Sequence, residues 1–238
     1  MGLTRLDLMV NDMSARRRPV AFELRDRGRI LAVAEQCAKH DIELNLVSWI
    51  MPHYDFLHEA ADVLIPLAVE THARSIQWDA EEPWMRARDP MPYDAAGELV
   101  GKLFGAVDMA TNAIGYASVP KLTPLLKVSV EAIPQCYSTS TSGVKPERVD
   151  ALMKRWMDKF GHLVPEGAFT GGLAAYRQEG IEGHTEASAM GTAINELAAM
   201  GISRFMYWHL DELLRDRGAR AVVRKLAKEG PEAFRLAA

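Results

Sequence analysis

Apolar and polar positions along the chain follow two alternating rhythms. Short runs rich in β-branched and aromatic residues recur at 6–11, 42–50, 75–80, 109–116, 128–136, 169–176 and 203–208, and read as strands. Between them, apolar residues recur at helical spacing. The stretch 26–39 gathers Ile30, Val33, Ala34 and Cys37 on one face. The stretch 55–73 does the same with Leu57, Ala60, Ala61, Leu64, Ile65 and Ala68, and Pro66 is expected to kink it. Asp94 is expected to cap a helix carrying Leu99, Val100 and Leu103. A helix over 147–160 follows Pro146, presents Val149, Leu152, Met153, Trp156 and Phe160, and stops at Gly161. Another over 185–200 starts at Thr185, buries Met190, Ile194 and Leu197, and stops at Gly201; an amphipathic helix closes the chain.

Repeated βα units of about thirty residues imply parallel strands joined by helical crossovers. Seven strands are visible, with room for an eighth in a segment that reads as loop. No linker or shift in composition divides the units, so residues 1–238 are expected to form one domain. A single (β/α) TIM-like barrel of seven or eight parallel strands is the predicted fold. The alternative is an open doubly wound sheet, but no glycine-rich phosphate loop follows the first strand.

Loop lengths indicate which end of such a barrel is functional. The segments MPHYD, EEPWMRARDPMPYD, STSTSGVKPE and RQEGIEGHTE, which follow strands, are long and polar or aromatic. Returns from helix to strand are short, such as HD at 40–41 and MG at 200–201. Strand-to-helix loops at the C-terminal ends of barrel strands build the site.

Composition narrows the function. The 238 residues are 48% hydrophobic and 25% charged, with a net charge of −4, which does not suit a nucleic-acid sheath. Arg16-Arg17-Arg18 is too short a basic run to change that. Cys37 and Cys136 have no metal-ligand spacing and lie among apolar neighbours, so two buried thiols are expected. The N-terminus MGLTRLDLMVND lacks a signal-peptide pattern, and no run reaches membrane-spanning length. Cytoplasmic synthesis without membrane insertion is the expectation, with any export by another route.

The stretch IQWDAEEPW, residues 76–84, carries the candidate chemistry. Along this strand Gln77, Asp79 and Glu81 share one parity, while Ile76, Trp78 and Ala80 share the other. Polar groups on one parity suggest the barrel mouth, so Asp79 and Glu81 are expected to stand side by side there, with Glu82 turned to solvent. Neighbouring carboxylates raise one another's pKa, and a carboxylic acid kept protonated near neutrality can protonate a leaving-group oxygen. Glycoside hydrolysis needs such an acid together with a group that stabilises an oxocarbenium-like transition state. Trp84 and Tyr93 follow in the next loop, where a flat ring can stack on a sugar. The competing reading makes Asp79 and Glu81 surface charges paired with Arg86 and Arg88.

A strand ending in D-x-E after an aromatic resembles the catalytic strand of barrel glycoside hydrolases of the lysozyme and chitinase type, families 25 and 18. IPQCYS at 133–138 resembles the strand end that faces the substrate acetamido group, and MYWHLDE at 206–212 resembles the last strand, whose tryptophan or acid lines a sugar subsite. LDLMVND resembles the acid-bearing first strand of the lysozyme type. The full chitinase run of spaced aspartates is absent, because Arg74, Ser75, Ile76, Gln77 and Trp78 occupy those positions, and the acids fall on the third strand rather than the fourth. The resemblance implies Glu81 as general acid, with Asp79 orienting or polarising an N-acetyl group or acting as electrostatic stabiliser. It implies Tyr137 and Gln135 as holders of the acetamido group or ring substituents, and Asp7 and Asp211 as candidates for a further carboxylate. The substrate it implies is an N-acetylhexosamine polymer, peptidoglycan first and chitin-like chains second. Without a signal peptide, such a muramidase would suit a phage endolysin released through a separate pore.

Other residues stay open. Trp49 has the parity to line the cleft but fits a core position equally well, and Trp208 is a candidate sugar contact. His53 is expected in solvent, and His209 is placed to pair with Asp211. Glu131, inside a strand, needs a cationic partner if buried. No cofactor is expected. Asp79, Glu81, His209 and Asp211 are acceptable metal ligands, but H-x-H and H-E-x-x-H spacings are absent, which leaves a metal-dependent hydrolase or isomerase as an alternative. A non-catalytic carbohydrate-binding barrel is the other. A catalytic serine lacks the G-x-S-x-G context, and STSTSG at 138–143 reads as loop.

Overall fold

The computed structural model describes residues 2–11, 22–114, 118–137, 149–174, 186–208 and 210–234. Seven strands form one sheet in sequential order: β1 (Arg5–Met9), β2 (Glu43–Trp49), β3 (Ser75–Asp79), β4 (Asp108–Ile114), β5 (Glu131–Gln135), β6 (Gly171–Ala174) and β7 (Phe205–Trp208). Every neighbouring pair is parallel, as the alternating units require. The sheet curls on itself: Arg5 on β1 reaches Glu131 on β5, and Gln77 on β3 meets Met206 on β7. This is an α/β, TIM-like barrel with seven strands among the described residues. Its ends, β1 and β7, flank a cavity of about 120 Å³. Every residue of β1 is half-buried, whereas β3 and β5 are wholly buried, as expected for strands beside a seam and strands inside a sheet.

The helices are α1 (Arg27–Lys39), α2 (Tyr54–Glu70), α3 (Glu82–Met85), α4 (Tyr93–Phe104), α5 (Val119–Leu126), α6 (Val149–Phe160), α7 (Glu186–Ala199), α8 (Leu210–Arg215) and α9 (Arg217–Glu229). Asp26 caps α1 by accepting from the Arg29 amide. The expected stripes are buried: Ile30, Ala34 and Cys37 on α1, and Val149, Leu152, Met153, Trp156 and Phe160 on α6. Side chains of the outward strand parity pack on them, including Leu44, Leu46, Ile76, Trp78 and Ala132. Residues of the inward parity include Ala110, Ile133 and Met206, a small apolar plug within the barrel.

Several boundaries differ from the sequence pattern for identifiable reasons. Asp94 lies inside the first turn of α4, behind Pro92, where its charge still complements the helix N-terminus. Helix α5 was invisible in the pattern because Pro120 and Pro124 both occur in it; Pro120 sits in the first turn, where no amide hydrogen is needed. The strand expected from 128 begins at Glu131, because Lys127, Val128 and Ser129 still bond back to α5. The loop after β3 contains α3, a single turn opened by Glu82 and Pro83. The closing helix divides at Asp216, whose side chain caps α9. The strand ends expected at 115–116 and 175–176, the run Arg16–Arg18, the STSTSG segment, Thr185 and His209 lie outside the described residues.

Candidate active site

Alternation along the strands sorts the barrel interior into a charged floor and an amide-rich upper layer. In the floor, Arg5 donates from Nε and Nη2 to Asp7 at 3.0 and 3.2 Å, and from Nη1 to both oxygens of Glu131 at 3.2 and 3.0 Å. Asn45 donates to Asp7 at 2.7 Å, and Ser75 bonds to Asn45 at 3.0 Å. The Thr170 hydroxyl bonds to Glu131, and Arg204 stands 3.6 Å from it. Burial works against the Arg5 charge, but Asp7 and Glu131 outweigh it and hold the guanidinium above its ordinary pKa. Glu131 thus has the cationic partner its position demanded. Asp7 belongs to the same ion-pair network. It is in register with Asn45, which pairs with Ser75, four residues below Asp79 on β3.

The upper layer is built around Asp79 at the C-terminal end of β3. Its register neighbours are Trp49 on β2 and Asn112 on β4. The carboxyl is 3% exposed, and Gln135 Nε2 lies 3.4 Å from its Oδ1. The same nitrogen donates to Asn112 Oδ1 at 2.8 Å. Burial raises the Asp79 pKa well above the carboxylate range, and the nearby Glu81 charge raises it further. Glu81 follows two residues later, half-buried, at the N-cap of α3. Glu82 points out and pairs at 3.9 Å with Arg86, while Arg88 pairs with Asp89. The arginines thus engage Glu82 and Asp89, while Asp79 has an amide beside it.

The remaining expected residues divide. Gln135 joins Asp79 directly, and Tyr137, half-buried, follows it two residues later beyond the end of β5. Trp49 is on the inward parity beside Asp79 and 5% exposed; its backbone is clamped in both directions by the Asn11 side chain. Trp208 is half-buried on the parity of Met206, the inward one. Asp211 is exposed in the first turn of α8, outside the buried cluster. Trp84 is wholly buried: its indole donates to Lys121 O at 2.8 Å, and its ring meets Tyr93 edge-on at 5.5 Å. No face of that ring is open to a sugar, so in this structure Trp84 and Tyr93 are packing. His53 is half-buried rather than solvated, with its Nε2 enclosed.

Sequence reading missed Asn112 and Asn11. Asn112 was detectable as the one polar side chain on the inward parity of MATNAI, whereas Asn11 carried no local signal. The Tyr207 hydroxyl is buried, which raises its pKa, and it packs towards Met190 and Leu213. Cys136 is pushed up to about 12 by burial, so neither its thiolate nor that of the buried Cys37 is available at neutral pH. Among the described residues, no three His, Cys, Asp or Glu side chains come together as a metal-ligand set. Nor is any described helix long and apolar enough to cross a membrane.

Chemically, this is a buried carboxyl of raised pKa, with a second acid two residues on, nearer the surface, and amides that can bind polar substituents. No family model matches the sequence, and no curated protein does. Solved structures do. A chitinase from Rhizomucor miehei superposes with a TM-score of 0.67 at 8% identity, covering 95% of this chain and 93% of that one. A Family GH18 chitinase from Chromobacterium violaceum gives 0.65 at 10% identity, with 94% and 77% covered. The spore cortex-lytic enzyme SleL of Bacillus megaterium QM B1551 gives 0.55 at 10% identity, with 93% and 66% covered. At such identities the likeness is one of fold: this chain has the curled (β/α) architecture of the GH18 chitinases.

Proposed function

We propose that the protein is a glycoside hydrolase acting on an N-acetylhexosamine-containing polymer, with peptidoglycan the favoured substrate and chitin-like chains the second. The observation that carries this reading is the buried Asp79 carboxyl at the C-terminal end of a barrel strand, beside the Gln135 amide and with Glu81 two residues on. Glu81, less buried, is the general acid that protonates the departing oxygen, taking up the proton that Asp79 gives over to it. Asp79, ionised by that transfer, orients or polarises the substrate's N-acetyl group or stabilises the positive charge that develops at the sugar. Gln135 and Tyr137 hold ring substituents, and Trp49 and Trp208 supply apolar surface. Neighbours whose names specify a chitinase or a spore cortex-lytic enzyme support a polymer of this chemistry. A muramidase of this kind fits an endolysin that reaches the wall through a separate pore.

Glu81→Gln tests the assignment. Clearing of peptidoglycan and chitin suspensions should be lost while binding to the same polymer is kept, and undiminished clearing overturns it. A wild type that binds the polymer but never clears it leaves the non-catalytic carbohydrate-binding barrel.

A further inference from the structure

We propose that Asn112 is a positioning residue of this site: its side-chain carbonyl fixes which way the Gln135 carboxamide faces, keeping an N–H donor turned toward Asp79. The activity arm of this proposal rests on the glycosidase reading; its structural arm does not.

Asn112 and Asp79 are register partners on adjacent strands, so both side chains enter the barrel at one level. Asn112 is 1% exposed, and Gln135 on the next strand is also buried. The two hydrogens of Gln135 Nε2 are divided between Asn112 Oδ1, at 2.8 Å, and Asp79 Oδ1, at 3.4 Å. The bond to Asn112 is short and anchors the group; the contact to Asp79 is long, and bonds of that kind tighten once substrate fills a site. With Asp79 ionised, a carboxamide turned by half a revolution would set Oε1 against two acceptors, Asn112 Oδ1 and the carboxylate. The Asn112 oxygen therefore disfavours that orientation. The groups facing Asp79 from β2, β4 and β5 are Trp49, Asn112 and Gln135, all uncharged, and Glu81 is the charge that acts on it. Glu131, two residues below Gln135, is engaged by Arg5 and Thr170. Among the described residues, the Gln135 donor is thus the contact that favours ionised Asp79, and Asn112 is what keeps it a donor.

The test is an NMR titration of the Asp79 carboxyl carbon in protein labelled with 13C-aspartate, assigned with Asp79→Asn. Asn112→Leu should raise the Asp79 midpoint by about one pH unit, the scale set by one charge-assisted hydrogen bond. In a Gln135→Leu background the same change should move it no further. Asn112→Ala serves if leucine is not accommodated. A folded Asn112 variant with an unmoved midpoint overturns the proposal, and so does an equal shift in the Gln135→Leu background. In activity, the pH profile of kcat/KM on the polymer should move with the carboxyl midpoint, and a profile that stays fixed while the midpoint moves sinks the activity arm. A wild type inactive on every N-acetylhexosamine polymer would end the glycosidase reading, yet leave the titration to decide the positioning role.

Discussion

Replacing Arg5 by methionine withdraws one guanidinium from a floor that holds two buried acids. Arg5, Asp7 and Glu131 expose only 19%, 13% and 10% of their side chains, so solvent screens the group weakly. At 3.0 Å, each ion pair is worth about 5 kcal/mol with an effective dielectric near 20, before the desolvation of the charges is subtracted. Breaking a buried pair from one side costs roughly 3–5 kcal/mol net. The low end applies here, because Asp7 keeps the Asn45 amide and Glu131 keeps Thr170 and Arg204. Arg5→Met should therefore lose about 3 kcal/mol, which in a chain of this size lowers Tm by roughly 6–12 °C. Adding Glu131→Gln should restore part of the loss, since a neutral amide no longer needs the cation. Urea denaturation of the wild type, both single variants and the double variant completes the cycle. A loss under about 0.5 kcal/mol, or a double variant no better than Arg5→Met alone, would refute the view that these charges depend on one another.

Asp79→Asn should stabilise the fold at neutral pH. The folded-state pKa of Asp79 is raised, so this group's contribution to stability is full below the ordinary carboxylate range and is lost as pH climbs to the raised value. The asparagine variant escapes that loss, and the two denaturation curves should converge in acid; a gap independent of pH contradicts the assignment. Trp84→Ala should cost roughly 3–5 kcal/mol of stability, because the ring is wholly enclosed, whereas Trp208→Ala should weaken polymer binding in pull-down assays at little cost in stability. Gly172→Ala places a methyl 2.7 Å from Pro134 O and 3.2 Å from Gln135 Cα. It should cost about 1–3 kcal/mol and reduce polymer affinity by displacing Gln135, both measurable on one preparation.

Much of the interior was legible because a strand's period of two is strict. Once Gln77 and Asp79 faced inward, Trp78 had to face α4, where it meets Phe104 at 4.7 Å. The same rule set Glu131 and Gln135 inside the barrel. It failed after the strand ended: Trp84 lies within the single turn of α3, where no strand parity applies, and its burial is decided by Lys121 and Tyr93, 37 and 9 residues away. The depth of Asp7 was hidden for a different reason. Its inward direction was readable, but its depth depends on register with β2, which the local pattern does not contain. Helix α5 was hidden because proline statistics describe helix interiors, and most of its eight residues are termini.

The two interior layers also explain why the Asp79 pKa is raised. In the floor each acid is met by Arg5, and the pairing of Glu131 with Thr170 and Arg204 leaves no floor charge to project upward. One level up, the inward side chains beside Asp79 are an indole and two carboxamides, and just below it Gln77 meets the Met206 sulfur at 3.6 Å. A cation at position 77, 112 or 135 would pull Asp79 towards ionisation and turn it into another structural ion pair. Carboxamides hold geometry without supplying that charge, so burial first and Glu81 second set the direction of the Asp79 shift. The separation of charge from amide within the barrel is therefore what distinguishes Asp79 from Asp7, although both are aspartates on inward strand positions.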